Sequence, residues 1–402
     1  MPMSAEVLSR LHADLADQVA AGAVPGLVAA VVCGDETEVL VIGTQGLDDP
    51  TPMRPDTIFR ISSLTKPIVA FAALQMVEEG VFGLDEPVEG LLPELAGLRV
   101  LRSLSGPVDD TVAAERPILV RDLLTFTAGF GQVMAPPGTY PIQAELDRAP
   151  GAPGPPQPAR TVAPDEYLAA LAALPLLHQP GAQWMYNTAS DVLGVLMARA
   201  AGATLQQVLQ QRLFGALALR DTGFCVPSSK IDRLATSYQP GPTGGLELFD
   251  PAEGGQWTSP PPLESGAGGL VSTAEDLLAF TRLMLGRGVF EGRRLLSEEL
   301  FTAMTTDQLT EEQKQNTISM PGFFDTHGWG YGLSVRTVAG DGEPAGSFGW
   351  SGGLGTYWAA TPGGSAGILL TQRAMTSPEP EPLVTQFWSG VWAAGAGQPS
   401  RS

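Results

Sequence analysis

The stretch GLVAAVVCGDETEVLVIGTQG, residues 26–46, contains two β-rich runs joined by a short polar turn. This arrangement is typical of a β-hairpin. Similar runs return towards the other end of the chain, namely WGYGLSVRTV (329–338), GSFGWSGG (346–353), LGTYWAAT (354–361) and AGILLTQR (366–373). Because these runs follow one another through short turns, we expect them to pair as antiparallel strands. The pattern predicts one sheet that is built from both ends of the chain.

The sequence between the β-rich ends has mainly helical patterns. Apolar residues recur with helical spacing in five segments, 63–80, 164–174, 190–202, 204–217 and 272–286. Several of these segments open with Ser, Thr or Asp and close at Gly, as capped helices do. The N-terminal segment 1–26 and the segment 383–395 also have helical spacing. We therefore predict an α+β fold in which helices flank the sheet.

This organisation predicts two parts with a cleft between them. The sheet domain would comprise residues 1–66 and 320–402, and a mainly helical domain would occupy residues 67–319. Two Pro/Gly-rich stretches, 135–164 and 240–263, interrupt the helical part. Each stretch could be a flexible surface loop or the rim of a pocket.

Composition and charge restrict the classes of partner. The net charge is −20, so repulsion makes nucleic acids and anionic membranes improbable partners. No run approaches 18 apolar residues, and the N-terminus lacks a basic start followed by an apolar block. Two cysteines, Cys33 and Cys225, are too few for a disulfide framework, and we expect separate buried thiols. These features predict a cytoplasmic globular protein.

Two segments, GWSGG (349–353) and GGSAG (363–367), match the G-x-S-x-G pattern of the α/β-hydrolase nucleophile. That pattern would make Ser351 or Ser365 the nucleophile, followed in the chain by an acid and a histidine. The chain has three histidines, His12, His178 and His327. All three precede both serines, and no Asp follows either of them. The sequence therefore excludes both serines as nucleophiles of that type.

A different serine has a base at a suitable spacing. Ser63 and Lys66 form the only S-x-x-K of the chain, which contains three lysines in all. If Ser63 lies at the start of a helix, Lys66 lies one turn later on the same face. Burial would disfavour the charged ammonium and lower its pKa, so that the amine could accept the serine proton. A surface Ser and Lys on an ordinary helix is the alternative interpretation.

Two further segments complete a possible site. Tyr186 follows a Pro-Gly turn and precedes a predicted helix, and its hydroxyl could relay protons. A core aromatic residue is the alternative for Tyr186. The Gly-rich strand at 350–353 can approach a substrate closely. A backbone N–H in that strand and the N–H of Ser63 could then form an oxyanion hole.

These segments together resemble the serine β-lactamase and penicillin-binding-protein superfamily, and within it the family VIII carboxylesterases. The matching residues are SLTK (63–66), Tyr186 in WMYNT (184–188) and WSGG (350–353). The resemblance implies an antiparallel sheet flanked by helices with an inserted helical domain. It also implies that Ser63 is acylated, that Lys66 is its base and that Tyr186 relays protons.

By the same resemblance, the N–H groups of Ser63 and Gly353 would form the oxyanion hole. Trp350, Ser351 and Gly352 would contact the substrate, and neither a metal nor an organic cofactor would be needed. The chain departs from relatives that hydrolyse penicillins, because Trp350 replaces the lysine of their K-T-G triplet and cannot pair with a carboxylate. A second departure is Thr188, which stands where an Asn amide usually binds the substrate.

Both departures favour a neutral ester as substrate. The leading hypothesis is therefore a serine carboxylesterase that cleaves small neutral esters through an acyl-enzyme. The alternatives are a β-lactamase or D-amino-acid peptidase of the same fold, an acyltransferase that uses the same residues, and a non-catalytic binding protein. The oligomeric state cannot be read from the sequence.

Overall fold

The structure is a computed structural model that describes residues 3–149, 154–315, 317–318, 320–375 and 381–395. In chain order, the α-helices of these residues are α1 (Ala5–Ala20), α2 (Thr65–Glu78), α3 (Val120–Thr125), α4 (Gln143–Leu146), α5 (Pro164–Ala172), α6 (Thr188–Ala201), α7 (Leu205–Leu209), α8 (Gly215–Leu217), α9 (Ala274–Leu285), α10 (Glu298–Met304), α11 (Glu311–Lys314) and α12 (Pro382–Gly395). A π-helical turn, Gln210–Phe214, connects α7 to α8.

The strands of the described residues are β1 (Gly26–Cys33), β2 (Glu36–Gly43), β3 (Phe59–Arg60), β4 (Arg99–Leu101), β5 (Thr111–Ala113), β6 (Ser237–Pro240), β7 (Leu246–Asp250), β8 (Val271–Ser272), β9 (Val289–Phe290), β10 (Arg293–Arg294), β11 (His327–Trp329), β12 (Ser334–Arg336), β13 (Phe348–Gly352), β14 (Thr356–Ala360) and β15 (Ser365–Leu370). Seven of them form one antiparallel sheet in the order β11-β12-β13-β14-β15-β1-β2. The remaining strands form four two-stranded sheets.

The main sheet joins the two ends of the chain through one strand pair. The N-terminal hairpin pairs β1 with β2 from Gly26 opposite Gly43 to Cys33 opposite Glu36. On its other side β1 pairs with β15, with Val28 opposite Leu370. The predicted α+β fold, with an antiparallel sheet drawn from both chain ends, is therefore confirmed.

β1 is buried on both faces, which explains its almost uninterrupted apolar sequence. Its side chains alternate between the faces of the sheet. Val28 and Val32 belong to the inner core, whereas Leu27 and Val31 belong to an outer core. Helices α1 and α12 contribute side chains to the outer core. The sheet is thus the middle layer between two helical layers.

The segment 329–338, which we expected to form one strand, contains instead the end of β11, a turn and β12, and the resulting hairpin pairs His327 with Arg336. β11 ends at Trp329 and β12 begins at Ser334. Gly332, in the turn between them, has φ +73°, and a Cβ there would lie 2.5 Å from the Cβ of Ala70 on α2. The tip of the hairpin is therefore pressed against α2, at a position where only Gly fits.

Helix α2 runs through the inner core and brings the sheet and the helical part together. Every residue from Thr65 to Met76 is buried, as expected of a helix that is apolar on all sides. α9 also packs on the sheet, where the Trp358 indole N–H donates to Thr281 Oγ1 at 3.0 Å. The predicted boundary places α9 in the helical domain, 67–319, although this helix contacts β14. The division into two domains stays a prediction.

The two cysteines are separate free thiols, and burial raises the pKa of each. Cys33 is buried, as expected, but Cys225 is only half-buried. Among the described helices, no single one is long and apolar enough to cross a membrane, while the bent pair Thr188–Ala201 and Leu205–Leu217 reaches that length and composition together.

Candidate active site

The turn before α2 presents Ser63. β3 ends at Arg60, and a 3₁₀ turn over Ser62–Leu64 leads into α2. Ser62 has φ +47°, a strained conformation for a residue with a side chain, and such strain is common at functional sites. The fully buried guanidinium of Arg60 anchors this segment, because it donates to Asp250 Oδ2 at 2.6 Å. Ser63 thus stands at the start of a helix, as the sequence predicted.

Lys66 reaches Ser63 from one turn further along. Its Nζ lies 3.0 Å from Ser63 Oγ. The same nitrogen donates to Asn187 Oδ1 at 2.7 Å and to the Ala267 carbonyl oxygen at 2.6 Å. A neutral amine has two N–H donors and one lone pair, so the two acceptors leave the lone pair free to face Ser63 Oγ.

Burial has a large effect on this amine. Lys66 is 1% exposed, and removal from water lowers its pKa to about 7. The charge of Asp191 acts in the opposite direction and raises the pKa. The ring of Tyr186 covers the amine, with Nζ 4.6 Å from the ring centroid. At neutral pH a substantial fraction of Lys66 is therefore uncharged and able to accept a proton.

Tyr186 approaches Ser63 from the other side. Its hydroxyl donates to Ser63 Oγ at 2.9 Å. Burial raises the pKa of Tyr186 to about 12, partly offset by its hydrogen bonds to Ser63 and Trp350. The phenol therefore keeps its proton at neutral pH. When the amine is neutral and the phenol protonated, Lys66 can accept a proton from Ser63 Oγ, and Tyr186 still has a proton to donate.

Asn187, a site residue that the sequence analysis missed, lies beside them. Its backbone angles are φ +83° and ψ −67°, and the Thr188 N–H donates to the Tyr186 carbonyl oxygen at 3.3 Å. These angles are those of a strained γ-turn. The turn directs both Tyr186 and Asn187 towards Lys66. The signal in the sequence was an Asn, which tolerates positive φ, directly before a helix.

This placement changes the interpretation of Thr188. We expected Thr188 to remove a carboxamide from the site, but it only begins α6. Asn187 supplies a carboxamide one position earlier and lines the cavity. Because its Oδ1 accepts from Lys66, its Nδ2 remains the group able to donate to a substrate.

Trp350 contacts Tyr186 through the edge of its indole, and the two ring centroids lie 5.5 Å apart. The indole N–H donates to the Tyr186 hydroxyl oxygen at 2.8 Å. The ring centroids of Trp350 and Trp329 lie 4.7 Å apart in a T-shaped pair. We expected a substrate contact at position 350, and the structure adds a hydrogen bond from Trp350 to the Tyr186 hydroxyl.

The edge of β13 is open next to Ser63. β12 pairs with β13 only at Phe348 and Gly349. Beyond that point, Trp350, Ser351 and Gly353 line the same cavity as Ser63. A Cβ at Gly353 would meet nothing within 4 Å, so its backbone faces open space. The predicted oxyanion hole between the N–H groups of Ser63 and Gly353 stays a prediction that this arrangement supports.

Gly352 has a packing role that the sequence analysis did not predict, and its expected contact with substrate stays a prediction. It is absent from the described residues that line the cavity. A Cβ at this position would lie 2.4 Å from the Ile61 carbonyl oxygen and 2.1 Å from Thr356 Oγ1. Thr356 Oγ1 also donates to that carbonyl at 2.8 Å. Gly352 therefore lets β13 lie directly against the turn that carries Ser63.

The two G-x-S-x-G serines lie in different strands of the main sheet, β13 and β15. Ser351 lies at the cavity, opposite Tyr357 on β14. Ser365 is buried in β15, opposite Cys33. Within the part of the chain that the structure describes, neither serine side chain forms a hydrogen bond with a histidine.

The cavity over Ser63 has a volume of about 1170 Å³. The first Pro/Gly-rich stretch contributes residues 154–158 and 160–162 to its lining, so this stretch is a pocket rim. Residues 150–153 of that stretch lie outside the described residues. The second stretch forms much of the β6–β7 hairpin and contributes only Leu263 to the described lining. Among the described residues, no group of three or more His, Cys, Asp or Glu could hold a metal ion.

Comparison with known proteins finds relatives that span most of this chain. A protein named Rv1367c from Mycobacterium tuberculosis (strain ATCC 25618 / H37Rv) is 38% identical over 350 residues, which cover 85% of this chain and 83% of that protein. Esterase EstB from Burkholderia gladioli is 30% identical over 390 residues and covers 91% of each chain.

The fold has relatives among solved structures. EstCE1, described as a hydrolase with promiscuous acyltransferase activity, superposes with a TM-score of 0.74 at 23% identity, covering 98% of this chain and 99% of its own. The model of the Beta-lactamase family matches residues 11–386. The chain that places Ser63, Lys66 and Tyr186 around one oxygen atom therefore belongs to the Beta-lactamase family.

Proposed function

We propose that the protein is a serine carboxylesterase that cleaves neutral carboxylic esters through an acyl-enzyme at Ser63. The observation that carries the proposal is the contact of Ser63 Oγ with Lys66 Nζ at 3.0 Å and with the Tyr186 hydroxyl at 2.9 Å. The esterase activity of EstB, which spans most of this chain at 30% identity, supports it.

Acylation would proceed as one proton transfer and one bond formation. The neutral amine of Lys66 takes the hydroxyl proton of Ser63 while Oγ attacks the ester carbonyl carbon. The carbonyl oxygen becomes an oxyanion, which the N–H groups of Ser63 and Gly353 stabilise. When the C–O bond to the alcohol breaks, Tyr186 donates its proton to the leaving oxygen and recovers one from Lys66.

Deacylation would use the same groups in reverse order. A water molecule at the position of the departed alcohol gives a proton to the Tyr186–Lys66 pair and attacks the acyl carbon. The carboxylic acid leaves and Ser63 Oγ regains its hydrogen. An alcohol in place of water would give acyl transfer, as in the described activity of EstCE1. Product analysis with an added alcohol separates these two outcomes.

The substrate class follows from position 350 and from the size of the cavity. Trp350 contributes an N–H and an apolar ring but no cation, so it favours a neutral substrate over a β-lactam carboxylate. The cavity volume of about 1170 Å³ exceeds the roughly 300–1,000 Å³ that is usual for sites that bind drug-sized ligands. A preference for small esters stays a prediction, since this space also admits a larger alcohol group.

A panel of p-nitrophenyl esters of increasing chain length, run beside nitrocefin, tests the proposal. We expect ester turnover by the wild-type protein, much slower nitrocefin turnover, and loss of ester turnover by about a thousandfold or more in Ser63→Ala. Ser365→Ala is the matched control, because it removes a G-x-S-x-G serine outside the site. Full ester turnover by Ser63→Ala would refute the proposal.

A fluorophosphonate separates the enzyme from a non-catalytic binding protein. The wild-type chain should gain one adduct, which peptide mass spectrometry locates at Ser63. Absence of the adduct from a folded wild-type protein would favour the binding protein.

A further inference from the structure

The mechanism above makes no use of a buried carboxylate behind Lys66. Asp191 lies in the first turn of α6 and is 7% exposed. Its Oδ1 accepts from Ser265 Oγ at 2.6 Å and from the Ala267 N–H at 3.0 Å. The hydroxyl of Tyr167 on α5 also hydrogen-bonds to it. Three donors converge on this one side chain, which is the environment of an ionised carboxylate.

A continuous chain of hydrogen bonds connects this carboxylate to the catalytic amine. Ser265 donates to Asp191 and in turn accepts from the Gly268 N–H at 3.1 Å. That N–H belongs to the peptide unit whose carbonyl oxygen, on Ala267, accepts from Lys66 Nζ at 2.6 Å. One peptide unit and one hydroxyl therefore link Asp191 to Lys66.

Close packing fixes the geometry of this connection. A Cβ at Gly266 would lie 2.4 Å from the Ser190 carbonyl oxygen, so the backbone at 266 lies directly on the start of α6. A Cβ at Gly268 would lie 3.0 Å from the ring of Pro156 in the cavity rim. The loop that carries the connecting peptide is thus held between α6 and the rim.

We propose that Asp191 is a positioning residue that acts on Lys66 through Ser265 and the Ala267–Gly268 peptide, orienting the amine and maintaining its basicity. Hydrogen bonds in a series polarise one another, so a carboxylate at one end makes the Ala267 oxygen a stronger acceptor at the other. A stronger acceptor favours the protonated amine, which is the product of the proton transfer from Ser63. Without it, the buried amine would be a weaker base.

The charges around the two groups agree with this direction. Burial lowers the pKa of Lys66 and raises that of Asp191, and the charge of each group opposes the effect of burial on the other. Tyr167 and Tyr186 are the other titratable side chains that touch the pair among the described residues, and burial raises the pKa of both phenols. Both phenols therefore stay uncharged, and Asp191 is the nearest source of negative charge for Lys66.

The scarcity of lysine makes a direct test possible. The chain contains three lysines, Lys66, Lys230 and Lys314, so protein labelled with ¹³Cε-lysine gives three NMR signals. The signal of Lys66 is identified by its loss in Lys66→Met. We expect the titration midpoint of this signal to fall by about 1 pH unit in Asp191→Asn. Asp276→Asn is the matched control, because Asp276 is equally buried, at 7% exposure, but lies outside the site.

The inference rests on the proposed base role of Lys66. The NMR measurement needs no turnover, so it can refute the role of Asp191 without refuting the esterase proposal. An unchanged Lys66 midpoint in folded Asp191→Asn would overturn the inference, as would an equal shift in Asp276→Asn. In ester kinetics, Asp191→Asn should lower kcat about tenfold or more with little change in KM. The acid limb of the pH–kcat profile of Asp191→Asn should also move to lower pH. A merely structural defect would leave that limb in place.

Ser265→Ala tests the route of the effect and serves on its own if Asp191→Asn does not fold. This variant keeps the carboxylate but interrupts the chain of hydrogen bonds between Asp191 and the Gly268 N–H. We expect the titration midpoint of the Lys66 NMR signal to be lower in Ser265→Ala than in the wild type. An unchanged midpoint in Ser265→Ala would overturn the proposed route.

Discussion

The indole N–H of Trp350 donates to the Tyr186 hydroxyl oxygen at 2.8 Å, and that hydroxyl donates to Ser63 Oγ at 2.9 Å. One lone pair of the phenol oxygen is therefore occupied by a fixed donor, and the phenol proton is directed at the nucleophile. A residue that the sequence suggested as a substrate contact thus also orients the hydroxyl that we propose as the proton relay.

Trp350→Phe tests this role, because it keeps an aromatic ring and removes the N–H. We expect kcat to fall about tenfold, which corresponds to the loss of one hydrogen bond. Trp358→Phe is the control, since its indole N–H donates to Thr281 on α9. That variant should lower the melting temperature, while its kcat should fall much less than that of Trp350→Phe. Equal kinetic losses in the two variants would contradict the proposed role of Trp350.

Tyr186→Phe removes the relay while it keeps the ring over Lys66. General acid–base groups contribute about 10²- to 10⁴-fold to rates, and we expect a loss of kcat in that range. Because the pKa of Tyr186 is raised to about 12, wild-type activity should show no decline from ionisation of this phenol up to about pH 10. Stopped-flow measurement of acylation across this pH range checks both statements. A Tyr186→Phe variant with wild-type kcat would remove Tyr186 from the mechanism.

Substitution by Ala should have very different effects at the neighbouring positions Gly352 and Gly353. A Cβ at Gly352 would collide with Ile61 and Thr356 and push β13 away from Ser63, so Gly352→Ala should lose about 100-fold or more in kcat/KM. Gly353→Ala places its Cβ in open space and keeps the backbone N–H, so it should lose far less. Kinetics with a small ester such as p-nitrophenyl acetate compare the two. A larger loss in Gly353→Ala would contradict the assigned packing.

Asn187 combines backbone strain with a contact to Lys66. Gly adopts positive φ without strain, so Asn187→Gly should relieve about 1 kcal/mol or more of backbone strain, while Asn187→Ala keeps the strain. Both variants lose the carboxamide and should lose activity. We expect Asn187→Gly to have the higher melting temperature of the two, measured by calorimetry. The reverse order would mean that the γ-turn is unstrained.

Much of the fold could be predicted because the strand and helix patterns lie within short segments of the sequence. The 26–46 hairpin and the buried β15 segment have strand patterns that tertiary context did not override. The 329–338 segment was assigned wrongly as one strand, because its break depends on the contact of Gly332 with Ala70 on α2. That contact joins distant parts of the chain and leaves no local pattern apart from the Gly.

The site could be predicted in part for the same reason. Ser63 and Lys66 lie one helical turn apart, so their spacing alone brings them together. Asn187 was missed, since its contact with Lys66 spans 121 positions and depends on a strained turn. The packing role of Gly352 was missed, because the sequence cannot tell a glycine that faces substrate from one that allows two backbones to touch.

The pH dependence of the acylation rate tests the central claim most directly, namely that the neutral amine of Lys66 accepts the proton of Ser63. Burial lowers the pKa of Lys66 to about 7, and only the deprotonated form can act as the base. The pre-steady-state burst with p-nitrophenyl acetate should therefore accelerate as the pH rises through about 7 and level off above it. A burst rate that is independent of pH between about 5 and 9, or that rises only near the ordinary lysine pKa of about 10.4, would contradict the account.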